Sequence, residues 1–213
     1  MSKSLLDNNY NAAEIEILEG LEPVRHRPGM YIGGIDNNAL HHLAIEIIDN
    51  SMDEVLAKHA TVIDVKLSEG NVLTISDNGR GIPIDSHPKF KNKSALEVIM
   101  TTLHSGGKFS NKNYATSGGL HGVGASVVNA LSSFMKVDVI RKGMLYTQEF
   151  SKGLPTTKLN KIESTKKTTG TSISFKPDTS IFGENNLLNP DKLFKILEYK
   201  AYLFGGVKIN WEC

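Results

Sequence analysis

Two pairs of β-rich runs, each closed by a short turn, constrain this chain more than any other feature. Val62–Leu67 and Val72–Asp77 are joined by Ser-Glu-Gly-Asn, and Met135–Arg141 and Met144–Phe150 meet around Lys142 and Gly143. Connections that short join antiparallel neighbours, because a parallel pair needs a crossover of about a dozen residues or more. The strongest helical pattern is Leu40–Ala57, where Leu40, Leu43, Ile47, Met52 and Val55 approximate helical spacing. Ala95–Leu103 and Val123–Leu131 read as further helices, and Asn189 with Pro190 starts another through Tyr202. Thr171–Phe175 and Val207–Trp211 read as strands. The resulting order is neither a repeating βαβ series nor all-β. It predicts an α+β fold, a two-layer sandwich whose mixed, mostly antiparallel sheet is covered on one face by helices.

The remaining stretches are less regular. Asn11 and Glu14 form a candidate capping box closed by Gly20, behind a polar arm of about eleven residues expected to be mobile. Arg25–Gly34 is too rich in Gly and Pro to predict a regular element, and Ser151–Thr169 is polar and lysine-rich. His104–Gly119 is a long run of Gly, Ser, Asn and Lys with few core anchors, the kind of loop that is functional or disordered.

At 213 residues and 39% hydrophobic content the chain suits one sizeable core. Lys plus Arg number 24 against 23 for Asp plus Glu, so no global charge draws it to nucleic acid, which disfavours a DNA-binding module. A lone Cys213 excludes an intrachain disulfide and a cysteine-cluster metal site. No run approaches the eighteen or so apolar residues of a membrane span, and a cytoplasmic protein without membrane partners is expected.

Three stretches carry chemistry. On the Leu40 helix, His42, Glu46 and Asn50 recur every four residues and share one stripe, with Asp49 and Asp53 beside it. On a generic helix such a stripe is a solvated face. Asp77-Asn78-Gly79-Arg80-Gly81-Ile82-Pro83 puts a carboxylate at a strand end, before a turn whose glycines let backbone approach a ligand. By itself it also fits an ordinary Asp-Asn-Gly turn. Ser117-Gly118-Gly119-Leu120-His121-Gly122-Val123-Gly124 runs into a helix N-terminus, a geometry that binds phosphate, although it lacks the Lys-Ser or Lys-Thr of a Walker loop. Together the three could hold a purine nucleotide with a divalent cation.

In this order they resemble the motifs of the ATPase superfamily that joins gyrase, the Hsp90 chaperones, sensor histidine kinases and MutL. Leu18–Gly33, Ile48–Ala57 and Ser105–Gly124 narrow the resemblance to B subunits of bacterial type II topoisomerases, and Phe109–Tyr114 resembles topoisomerase IV more than gyrase. The resemblance implies the Bergerat ATP-binding fold, with ATP and Mg2+ as ligands. It makes Glu46 the general base for the attacking water, His42 the residue that orients it, and Asn50 the magnesium ligand. Asp77 would accept the adenine amine, supported by Thr171 and Gly81. Gly119, Leu120, His121, Gly122, Val123, Gly124 and Ala125 would wrap the triphosphate, while Lys108 and Tyr114 lie on its lid. Tyr10 would touch the nucleotide of the other protomer. Arg80, Pro83 and Arg141 match the pocket mouth where inhibitors of the family bind.

The resemblance also implies residues 1–14 as a dimerisation arm and 15–213 as the ATP-binding domain. Its expected partners are a second B subunit, the DNA-cleaving A subunit and, in the intact enzyme, DNA. The family completes its phosphate site with a lysine of a following transducer domain, and no matching Gln-Thr-Lys occurs here. A fragment without transducer and toprim domains, weak in turnover and mostly monomeric, is therefore expected. A chaperone-like or MutL-like clamp, gyrase B, or a nucleotide-sensing module without turnover are the alternatives.

Overall fold

The computed structural model describes residues 17–106, 123–163 and 168–213. Within them the helices are α1 (Glu22–His26), α2 (Gly29–Ile32), α3 (Asn37–Leu56), α4 (Ala95–Thr101), α5 (Gly124–Ala130), α6 (Thr179–Phe182) and α7 (Pro190–Leu203). The strands are β1 (Val62–Ser68), β2 (Val72–Asp77), β3 (Ser86–His87), β4 (Phe90–Ser94), β5 (Ser132–Arg141), β6 (Met144–Ser151), β7 (Leu154–Pro155), β8 (Asn160–Glu163), β9 (Gly170–Pro177) and β10 (Lys208–Glu212).

Both hairpins form, and their turns show why. Gly70 and Asn71 have φ of 74° and 63°, and Lys142 and Gly143 have 51° and 73°. Lys142 and Gly143 form a two-residue turn, left-handed at both positions, which matches the twist of the flanking strands, whereas the first turn spans Glu69, Gly70 and Asn71 and is left-handed at its last two. Seven strands run in the order β10-β1-β2-β9-β5-β6-β7, with β8 also on β6. Only β10 against β1 is parallel; the other pairs in this sheet are antiparallel. The sheet is mixed and mostly antiparallel, as the turn chemistry requires.

Alternation along the strands separates two faces. Ile63, Val65, Leu73, Ile75, Val137, Ile173 and Phe175 are buried and join Leu40, Leu43, Ile47 and Ile48 of α3 and Val127 and Val128 of α5 in one core. The opposite face is polar. Thr74 meets Ser174 at 2.8 Å and Ser76 donates to Ser172 at 2.7 Å, so hydroxyls bridge β2 and β9 where the other face carries hydrocarbon.

Helix α3 begins three residues earlier than the apolar spacing indicates, because Asp36 caps it by accepting from the Ala39 N–H at 2.8 Å. Asn189 caps α7 as expected. Arg25–Gly34 differs from expectation: it holds the end of α1 and all of α2. Pro23 sits in the first turn of α1, where its missing N–H costs nothing, and Gly33 closes α2 in the left-handed region at φ 80°. Arg25 then ties three elements, donating to the Ala130 carbonyl at the end of α5 and to Asp178 before α6, each at 2.7 Å. Burial alone would raise the Asp178 carboxyl, but hydrogen bonds from Arg25 and Ser180 and the charge of Arg25 hold it below its ordinary value. Ser151–Thr169 also carries more structure than its composition indicates, since β7 and β8 pair with β6 there.

Candidate active site

Two regions of the core converge on α3. Glu46, half-buried, faces the first residue of α5: a Cβ on Gly124 would collide with the Glu46 carboxylate. The helix start can therefore approach the carboxylate only because that residue is glycine. Asn50 lies one turn further along α3, also half-buried, while His42, one turn before Glu46, is exposed. Asp49 beside the stripe is engaged elsewhere, with the Lys200 ammonium of α7 at 2.5 Å, and Asp53 is buried.

Asp77 ends β2 opposite Thr171 of β9 and Ile63 of β1. One carboxylate oxygen accepts from the Gly79 N–H at 2.9 Å, the other from the Ser51 hydroxyl of α3 at 3.0 Å. Its pKa is raised to about 6. Loss of solvent around the carboxylate dominates, the Glu54 charge adds to it, and hydrogen bonds from Gly79, Ser51 and Thr171 oppose it. A carboxylate carries about four lone-pair sites, so these three donors still leave acceptor capacity for a ligand.

The turn after Asp77 is held from four sides. Asn78 accepts from the Thr61 and Val62 N–H groups, and Thr169 donates to the Gly79 carbonyl at 2.7 Å. Arg80 makes a bidentate pair with Glu54, at 3.1 and 2.6 Å, and its own N–H donates to the same carboxylate. Gly81 has φ 76°, and its carbonyl accepts from Arg141 at 3.2 Å; a Cβ there would press on Arg141 and Val139 at 3.0 Å. The Thr171 hydroxyl accepts from the Ile82 N–H at 3.2 Å, and Pro83 is exposed. Val123 precedes α5, and Ala125 follows Gly124 in its first turn.

The structure thus brings Glu46, Asn50, Asp77, Arg80, Gly81, Val123, Gly124, Ala125, Arg141 and Thr171 around α3 and the end of β2. Tyr10, Lys108, Tyr114, Gly119, Leu120, His121 and Gly122 lie outside the described residues. Two contributors escaped sequence reasoning. Glu54 continues the four-residue stripe of 42, 46 and 50, which could have revealed it. Ser51 gave no signal, being one hydroxyl inside an apolar pattern. Among the described residues no group of three His, Cys, Asp or Glu could hold a metal ion. A cation here would depend on the Asn50 side-chain oxygen together with oxygens of a ligand, which is the donor set a hard ion such as magnesium takes.

A carboxylate on α3 thus meets a glycine-opened helix start, and less than two turns further along the same helix a hydroxyl holds the strand-end Asp77. Residues 35–181 match the family described as histidine kinase-, DNA gyrase B-, and HSP90-like ATPase, a span containing all of α3, the Asp77 turn and α5. The chain belongs to this ATPase family. As a family member it binds ATP. It is 59% identical to the B subunit of DNA topoisomerase 4 from Rickettsia felis over 98% of this chain and 32% of that protein. Identity to the B subunit of DNA gyrase from Thermotoga maritima is 51%, over 95% of this chain and 31% of that one. The 43K ATPase domain of Thermus thermophilus gyrase B, solved with an aminocoumarin, superposes with a TM-score of 0.79 at 45% identity, covering 90% of this chain and 48% of that one. The chain therefore spans about a third of the length of the curated ATPase-family relatives it matches.

Proposed function

We propose that this ATPase-family chain is the nucleotide-binding and hydrolysing part of the B subunit of a type II DNA topoisomerase, of the topoisomerase IV kind, acting in the cytoplasm. The observation that carries the reading is the placement, on one helix, of Glu46 at the start of α5 and of Ser51 on Asp77. Base recognition and hydrolysis then fall less than two turns apart on a single helix. Topoisomerase IV is favoured over gyrase by identities of 59–60% against 51%.

In this reading Asp77 accepts the adenine amine, with Thr171 and Gly81 beside the base. Glu46 takes a proton from the water that attacks the terminal phosphorus, as the bond to the bridging oxygen breaks. His42 orients that carboxylate. Val123, Gly124 and Ala125, together with Gly119, Leu120, His121 and Gly122, offer N–H groups to the phosphates, and Lys108 and Tyr114 close over them. Asn50 would hold a magnesium ion, which when bound offsets charge on the phosphate oxygens. Tyr10 reaches the nucleotide of a second B subunit, so that ATP drives dimerisation through an arm of residues 1–14, with residues 15–213 as the ATP-binding domain. That closure gates passage of DNA cut by the A subunit. Arg80, Pro83 and Arg141 border the pocket mouth, where an aminocoumarin-type inhibitor would bind.

The test uses two substitutions in the full-length protein. Glu46→Ala retains ATP binding and loses most hydrolysis, whereas Asp77→Asn weakens binding itself because the acceptor facing the amine is altered. Unchanged turnover in the first removes Glu46 as the base. Undiminished affinity in the second places adenine elsewhere.

A further inference from the structure

We propose that Ser51 is a specificity-determining residue: its buried hydroxyl holds the Asp77 carboxylate as a charged acceptor and so keeps the base pocket selective for adenine over guanine. This rests on the reading that places the adenine amine at Asp77.

The direction of the Ser51 hydroxyl is the first support. Helical hydroxyls commonly return to a carbonyl one turn back, as Thr101 does to Glu97 at 2.7 Å. Ser51, only 4% exposed, instead donates across the interface to Asp77 on β2. That hydrogen bond links the helix of Glu46 and Asn50 to the base pocket.

The second support is the chemistry of the acceptor. An ionised carboxylate only accepts, whereas a protonated one carries an O–H donor. Adenine presents an amine donor at its six-position and guanine a carbonyl acceptor. Charged Asp77 attracts the first and repels the second; neutral Asp77 can donate to the second. Discrimination therefore follows the charge on Asp77.

That charge is contested by every element around it. Burial and the Glu54 carboxylate of α3 favour the neutral form, although Glu54 is paired with Arg80. From β1 comes Ile63 and from β9 Thr171, neither charged, and Arg141 of β5 is bound to the Gly81 carbonyl. The donors favouring the charged form are the Gly79 and Thr171 main-chain groups and the Ser51 hydroxyl. Ser51 is the single side-chain donor among these.

Calorimetric titration of the chain with imido analogues of ATP and GTP and magnesium, from pH 5.5 to 8.5, tests this. Ser51→Ala moves the acid limb of adenine-nucleotide affinity up by about one pH unit. Near pH 6.5 the adenine-to-guanine affinity ratio then falls about tenfold, and it recovers at high pH. Ser51→Cys, a weaker donor of similar size, gives an intermediate limb and serves if the alanine variant does not fold. A variant limb lying on the parent's, or affinity lowered equally at every pH, overturns the proposal alone. A parent chain that binds neither nucleotide overturns the adenine placement, and the proposal with it.

Discussion

Asp77 links folding to proton concentration. Its carboxyl titrates at about 6 in the folded chain against an ordinary value of 3.8. Between those values the folded state binds more protons than the unfolded state, so stability falls as pH rises from about 4 to about 6. The full drop is about 3 kcal/mol, from roughly 1.4 kcal/mol per unit. Urea denaturation across this range should show that falling limb, and Asp77→Asn should flatten it; an unchanged limb would assign the effect to another group. With adenine placed at Asp77 as proposed, nucleotide binding would work in the opposite sense, since an amine donor favours the charged carboxylate and releases a proton near pH 6. Asp77 was legible in the sequence as a carboxylate before two glycines. Its partner Ser51 was not, because a contact across 26 positions leaves no mark on local spacing.

At the level of elements, the start of α5 depends on one missing side chain. Gly124→Ala adds a Cβ that meets the Glu46 carboxylate, the mobile end of a flexible side chain, so the clash is relieved by moving Glu46 rather than by unfolding. On the role proposed for Glu46, hydrolysis should fall by about tenfold or more with KM little changed, and steady-state kinetics separate the two. Equal loss in both would place the glycine in binding instead. The long elements were readable because α3 has apolar spacing over several turns, and because Lys142-Gly143 and Gly70-Asn71 dictate their turns. The short ones were not. Strands β7 and β8 are exposed along their length and so have no apolar alternation, and two-residue β3 is too short to show a period. In α1 and α2, proline and glycine act as start and stop signals at the ends of helices so brief that the same residues read as breakers.

Among the described residues, the large sheet packs against helices in one core, and β10 lies at the edge of that sheet, beside β1. Trp211, the lone tryptophan, lies in β10 opposite Val65 of β1, far in sequence from the hairpin it extends. If β10 is integral to that core, tryptophan fluorescence and far-ultraviolet circular dichroism should trace superimposable unfolding curves. An earlier fluorescence transition would mark β10 as a separately melting edge. Helix α3 imposes a different kind of unity. It advances about 1.5 Å per residue, so Glu46 and Ser51 stand about 7.5 Å apart along its axis, at a fixed angular offset. In the proposed reading the helix thus acts as a ruler with two graduations, one mark for the base and one for the chemistry. Inserting a single residue between the marks would turn one about 100° against the other. Neither mark can be recalibrated by shifting the helix, and variation that preserves the site must leave that interval whole.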